Sequence, residues 1–187
     1  MDTFSYLSVL ISIVLGLGIT NLLGAVATLM RRRSEVRMYW PLPIWLVTLF
    51  LIHVQTWWTM FGLRRVGHWS FAEFLIVLMQ PVLLYLMTAL IRPGRAEAGA
   101  LDLKADFLRE SRPFFICLFL VLCVSLAKDL SLSGHLPSPP NSAAHGLFLA
   151  MAALGAISRN ARLHAVMAPV GLAMIGAYIA LLFAELT

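Results

Sequence analysis

Runs of about twenty apolar residues, separated by short charged or proline-rich breaks, recur along the whole chain. A helix that crosses a bilayer needs roughly that many, because each residue rises only about 1.5 Å. The pattern predicts spans over residues 6–30, 43–62, 71–91, 113–132, 143–158 and 163–186. The fold class expected is therefore all-α, a polytopic six-span transmembrane helix bundle forming a single domain over residues 1–187. Fusing the last two runs would bury Arg159, Asn160 and Arg162 in hydrocarbon, which is costly, so they count as separate spans.

The breaks carry their own patterns. Within residues 92–112, Ala96, Ala100, Leu103 and Phe107 follow helical spacing, with Asp102, Asp106, Arg109 and Glu110 on other faces. This predicts a short amphipathic interfacial helix between spans 3 and 4. The stretch GHLPSPPNS ahead of span 5 is expected to be an extended loop. In span 1, Ser8, Ser12, Gly16, Thr20, Gly24 and Thr28 fall at four-residue steps. Such a ridge of small residues lets another helix come close, so Gly16, Thr20 and Gly24 are expected to form a helix-packing seam.

Polar residues inside the spans are the candidate chemistry, since hydrocarbon offers them no hydrogen-bond partner. Span 2 carries His53, Gln55 and Thr56, and span 3 carries Gln80. His53 and Gln80 lie at similar depth, about 13 Å from the nearer end of their spans. Two arrangements follow: a closed contact between them worth about 1 kcal/mol, or a wet path that both line. Asn21, beside the span 1 ridge, belongs to the same set of polar groups. Pro81 and Pro169 interrupt the backbone ladder of spans 3 and 6 and are candidate kinks or gates. They sit in Met79-Gln-Pro-Val and Met167-Ala-Pro-Val, a faint sign of two inverted halves.

Composition agrees with the pattern. Of the 187 residues, 60% are hydrophobic and 12% charged, about half the charged share of a soluble domain. The net charge of +5 does not imply nucleic acid, because the basic residues are sorted between breaks. Eleven of the fourteen (Arg31, Arg32, Arg33, Arg37, Arg92, Arg95, Lys104, Arg109, Arg112, Arg159, Arg162) fall in alternate breaks, against Arg64, Arg65 and Lys128 in the others. The positive-inside rule then puts both termini outside the cytoplasm, as a multi-pass protein of a bacterial inner membrane. The start, MDTFSYLSVL, lacks a basic region, so span 1 is expected to stay in the mature protein.

Several chemistries find no support in the residues. Cys117 and Cys123 point to different faces of one span. His53, His145 and His164 fall at different depths, so no pair suits haem, and no other cofactor and no metal set is apparent. Glu73 and Asp129 lie near span ends and Glu185 near the terminus, which disfavours ion-coupled transport. No nucleophile and base stand together, so a non-enzyme is expected. The function expected is a passive channel or facilitator for a small solute or ion. The alternative is a non-catalytic membrane module that partners another membrane protein. Besides the lipid bilayer, the partner expected is a second copy of the chain in a homo-oligomer.

Overall fold

The computed structural model describes residues 3–93 and 101–182. In order, the elements are α1 (Thr3–Arg31), β1 (Val36–Arg37), α2 (Pro41–Thr59), a 3-10 helix (Met60–Arg65), α3 (Phe71–Leu90), β2 (Leu101–Asp102), α4 (Leu103–Ser133), α5 (Pro139–Ile157) and α6 (Ala161–Leu182). The architecture is all-α. The two short strands only pair Val36 with Leu101 and Arg37 with Asp102, in parallel, tying two breaks together at one end of the bundle, the ladder end. Among the described residues, five helices are long and apolar enough to cross a membrane: α1, α2 with its 3-10 extension, α3, α4 and α6. This is the make-up of a multi-pass membrane protein. α5 opens on Pro139-Pro140-Asn141-Ser142, which shortens its apolar part, and it is not among the five.

Local chemistry explains the boundaries. Pro41 and Pro43 open α2, where a missing N–H costs nothing. α3 starts at a capping box: Ser70 Oγ accepts from the Glu73 N–H at 3.2 Å, and the Glu73 carboxylate accepts from the Ser70 N–H at 2.7 Å. Glu73 is thus a cap. Asp102 caps α4 by accepting from the N–H groups of Lys104 and Ala105. α4 ends at Gly134, whose φ of 72° is the left-handed turn that glycine adopts most cheaply.

Three expectations change. The interfacial helix is not a separate element: residues 103–112 form the first turns of α4, and residues 94–100 lie outside the described part. Leu103, Phe107, Ser111, Phe114, Phe115 and Leu118 are all buried and in helical phase, so one buried stripe runs through Pro113 without a break. The 31 residues of α4 extend about 46 Å, well beyond a hydrocarbon layer of about 30 Å. The loop expected at GHLPSPPNS is partly helical, because Pro139 and Pro140 occupy the first positions of α5. The small-residue ridge is not a seam within the chain: Gly16 and Thr20 are exposed, and a Cβ added at Gly16 or Gly24 would meet nothing within 4 Å. The inward face of α1 is Ile11, Leu15, Gly18, Leu22, Ala25 and Leu29, which offers more apolar surface to α2 and α3. Thr20 and Thr28 satisfy their hydroxyls on the carbonyls of Gly16 and Gly24, 2.8 Å away, and so need no neighbour.

Toward the ladder end, aromatic rings from α2 and α4 interlock. Trp45 meets Phe114 and Phe115 edge-on, with centroids 5.2 and 5.4 Å apart. Phe107 and His164 extend the layer, the latter buried and donating through Nε2 to the Ser158 carbonyl at 2.9 Å. Glycines on α5 and α6 make room for it. A Cβ at Gly155 would lie 2.5 Å from the Phe115 ring, and one at Gly171 would lie 3.2 Å from Trp45. Gly155→Ala is therefore expected to destabilise the fold by about 1–3 kcal/mol, whereas Gly16→Ala stays within about 0.5 kcal/mol. Thermal melts of the two variants in one detergent check this; equal melts would mean that α5 does not seat on Phe115.

Candidate functional site

The end of the bundle opposite the ladder holds a partly enclosed cavity of about 310 Å³ between α2, α3, α4, α5 and α6. Its polar wall is assembled from every one of them. α4 contributes Ser125, Lys128 and Asp129, spaced so that all three share one helix face. α5 contributes Asn141 and His145, one turn apart, and α6 contributes Tyr178. Gln55, Thr56 and Gln80 close it from α2 and α3.

These groups are wired to one another. The Lys128 ammonium donates to Gln80 Oε1 at 3.4 Å and makes no ion pair among the described residues. The Tyr178 hydroxyl donates to Asn141 Oδ1 at 2.9 Å. His145 Nδ1 lies 2.9 Å from the Asn141 carbonyl, which can only accept, so that nitrogen carries the proton. In the neutral ring Nε2 then accepts from the Ser125 hydroxyl, 3.2 Å away. A small void of about 10 Å³ between Thr56, Gln80, Pro81 and Lys128 adjoins the cavity and has room for about one water. The buried Thr56 hydroxyl, without a partner among the described residues, borders both spaces.

His53 belongs elsewhere. It is fully buried, and its Nδ1 donates to the Leu49 carbonyl at 2.7 Å, which leaves Nε2 with no partner among the described residues. The ring meets α1 at Gly18 with its Nε2 foremost: a Cβ there would run into Nε2 and come within 2.9 Å of Cδ2. Neither arrangement of His53 with Gln80 forms: Gln80 bonds Lys128 and lines the cavity, whereas His53 lines neither the cavity nor the small void. Asn21 also lies outside the cavity; its Nδ2 donates to Thr88 Oγ1 at 3.3 Å and joins α1 to α3. Of the prolines, Pro81 is buried beside the small void, whereas Pro169 is exposed on α6. The two Met-x-Pro-Val stretches therefore have unlike surroundings.

A larger groove, about 670 Å³, runs between α1 and α2, but Leu22, Val26, Leu46 and Phe50 make it a surface for hydrocarbon, with Arg33 at one end. Among the described residues no three His, Cys, Asp or Glu side chains stand together as metal ligands. The residues that spacing alone passed over are Ser125, Lys128, Asp129, Asn141, His145 and Tyr178. Their signal was the shared face of Ser125, Lys128 and Asp129, together with the four-residue step from Asn141 to His145. Comparison with family models, curated proteins and solved structures finds no match for this chain.

The closeness of His53 to α1 has a direct consequence. Gly18→Ala is expected to cost about 1–3 kcal/mol, since the new methyl and the imidazole claim one volume. In a His53→Ala background the same change is expected to be nearly neutral. Melts of the four proteins in a double-mutant cycle measure the coupling. Strictly additive losses would mean that the ring does not rest on Gly18.

Proposed function

We propose that this chain is a membrane facilitator that binds a small polar solute in the cavity of α2–α6 and passes it through the bundle. The observation that carries this reading is the convergence of polar side chains from five helices on one cavity whose apolar surroundings would otherwise disfavour them. Below the cavity, the Trp45–Phe114–Phe115 layer closes the ladder half. A solute therefore crosses only when that layer parts, which makes the protein a gated facilitator and not an open pore. No step requires bond chemistry, so the protein acts without catalysis.

The same reading completes the topology. α5, packed against α4 and α6, is the sixth span, and the ladder end faces the cytoplasm. Arg31, Arg32, Arg33, Arg37, Lys104, Arg109 and Arg112 gather at that end, as the positive-inside rule requires in a bacterial inner membrane. Both termini and the cavity mouth then face away from the cytoplasm. One observation favours a second role. The ridge of Gly16, Thr20 and Gly24 is turned outward on α1 with nothing over its two glycines, a face suited to a second copy of the chain or to another membrane protein.

Purified protein in liposomes tests the facilitator reading by light scattering after an osmotic step with small polar solutes. Swelling faster than that of protein-free vesicles is expected for at least one solute. Ser125→Trp, which fills the cavity from α4, is expected to return the rate to that of protein-free vesicles while the thermal melt is retained. Equal swelling of wild type and Ser125→Trp would remove the cavity from the path.

A further inference from the structure

The cavity is graded from polar to apolar along three of its helices at once. Lys128 and Asp129 stand above Val121 on α4, Asn141 above Phe148 on α5, and Tyr178 above Ile175 on α6. The polar level lies toward the end where α4 finishes and α5 begins, and the apolar level lies deeper, toward the aromatic layer. The polar level also carries one charge of each sign on adjacent residues. Lys128 spends its ammonium on one long bond to Gln80, and the Asp129 carboxylate accepts no hydrogen bond from the described residues. Both keep capacity for a ligand: an ammonium has three donors and a carboxylate about four acceptor sites.

From this grading we infer that the cavity takes a zwitterionic α-amino acid with an apolar side chain. The inference rests on the proposed solute site and names its substrate class. A simple anion drawn to Lys128 would have to sit beside the Asp129 carboxylate, and a simple cation drawn to Asp129 would face the Lys128 ammonium. A molecule with carboxylate and ammonium on one carbon meets both and brings no net charge into a low-dielectric site. Its side chain then points down to Val121, Phe148 and Ile175, where burial of a branched aliphatic group is favourable. A volume of about 310 Å³ lies at the small end of ligand pockets and suits a metabolite, not a two-chain lipid.

The test is calorimetric titration of the full-length protein in detergent with four probes: L-leucine, 4-methylpentanoate, 3-methylbutylamine and glycine. Leucine is expected to bind at least about tenfold more tightly than each of the others, since each lacks one of the three contacts. In Lys128→Met the preference for leucine over the amine is expected to vanish, and in Asp129→Asn the preference over the carboxylic acid. These are ratios within one protein, so a general loss of stability does not imitate them, and the wild-type series stands without any variant. No heat with leucine at millimolar concentration, a one-charge analogue that equals leucine, or leucine displaced only by phosphatidylethanolamine would each overturn the inference. Leucine binding without flux would retire the facilitator reading and keep the amino-acid site. Flux of another solute without leucine binding would do the reverse.

Discussion

The Phe115 ring occupies space that only glycine leaves free on α5, and Trp45 packs tightly over a glycine of α6. The Phe115 ring lies where a side chain at Gly155 would begin, and Trp45 lies against Gly171. α5 and α6 owe their approach to the bundle to these two fits, since lipid chains are as apolar as the helices and supply no net hydrophobic drive between them. Close packing of rings on bare backbone takes over that role through dispersion and edge-on aromatic contacts. The consequence at the other end is geometric. Beyond the aromatic layer that draws in α5 and α6, toward the end of α4, the helices enclose the cavity.

The polar groups around that cavity depend on where two helices start and stop. Because α4 runs unbroken to Ser133, Ser125, Lys128 and Asp129 stay in helical phase with Leu118 and Val121, and all five line one wall. Because α5 begins at Pro139, Asn141 and His145 stand one turn apart on a helix. The Tyr178 hydroxyl then fastens α6 to α5 through Asn141. His53 serves a different purpose. Its imidazole fills the hollow over Gly18, so α1 is seated on α2 by shape, and the ring is spent on that contact.

Most of the helical layout is legible in the residues, and the departures have physical causes. α1, α2 and α3 fall within a few residues of their apolar runs, since an arginine cluster, Pro41 and the Ser70–Glu73 box bound them sharply. α4 starts ten residues before its expected span because Arg109, Arg112 and Pro113 look like a boundary, although the buried stripe passes through them in phase. The candidate site is legible only on one side. Gln55, Thr56 and Gln80 stand out as polar residues in apolar runs, and they do line the cavity. His53 stands out equally, but it is about 200° around α2 from Gln55, and depth along a helix does not reveal which neighbour it faces. Lys128 and Asp129 resemble ordinary charges at a span end until α5 and α6 are packed against them. The ridge of small residues on α1 has the same ambiguity, since four-residue spacing marks a face without naming its partner.

The central claim is that the solvent-accessible polar site lies between α4, α5 and α6 and not along the His53 face of α2. Cysteine accessibility in intact membranes tests it directly. With Cys117 and Cys123 replaced by alanine, single cysteines are placed at Ser125 and at His53 and treated with a small membrane-impermeant maleimide. Ser125→Cys is expected to be modified and His53→Cys to remain unmodified until the protein is denatured. Rapid modification at His53 with none at Ser125 would contradict the claim and put the wet path between α1 and α2.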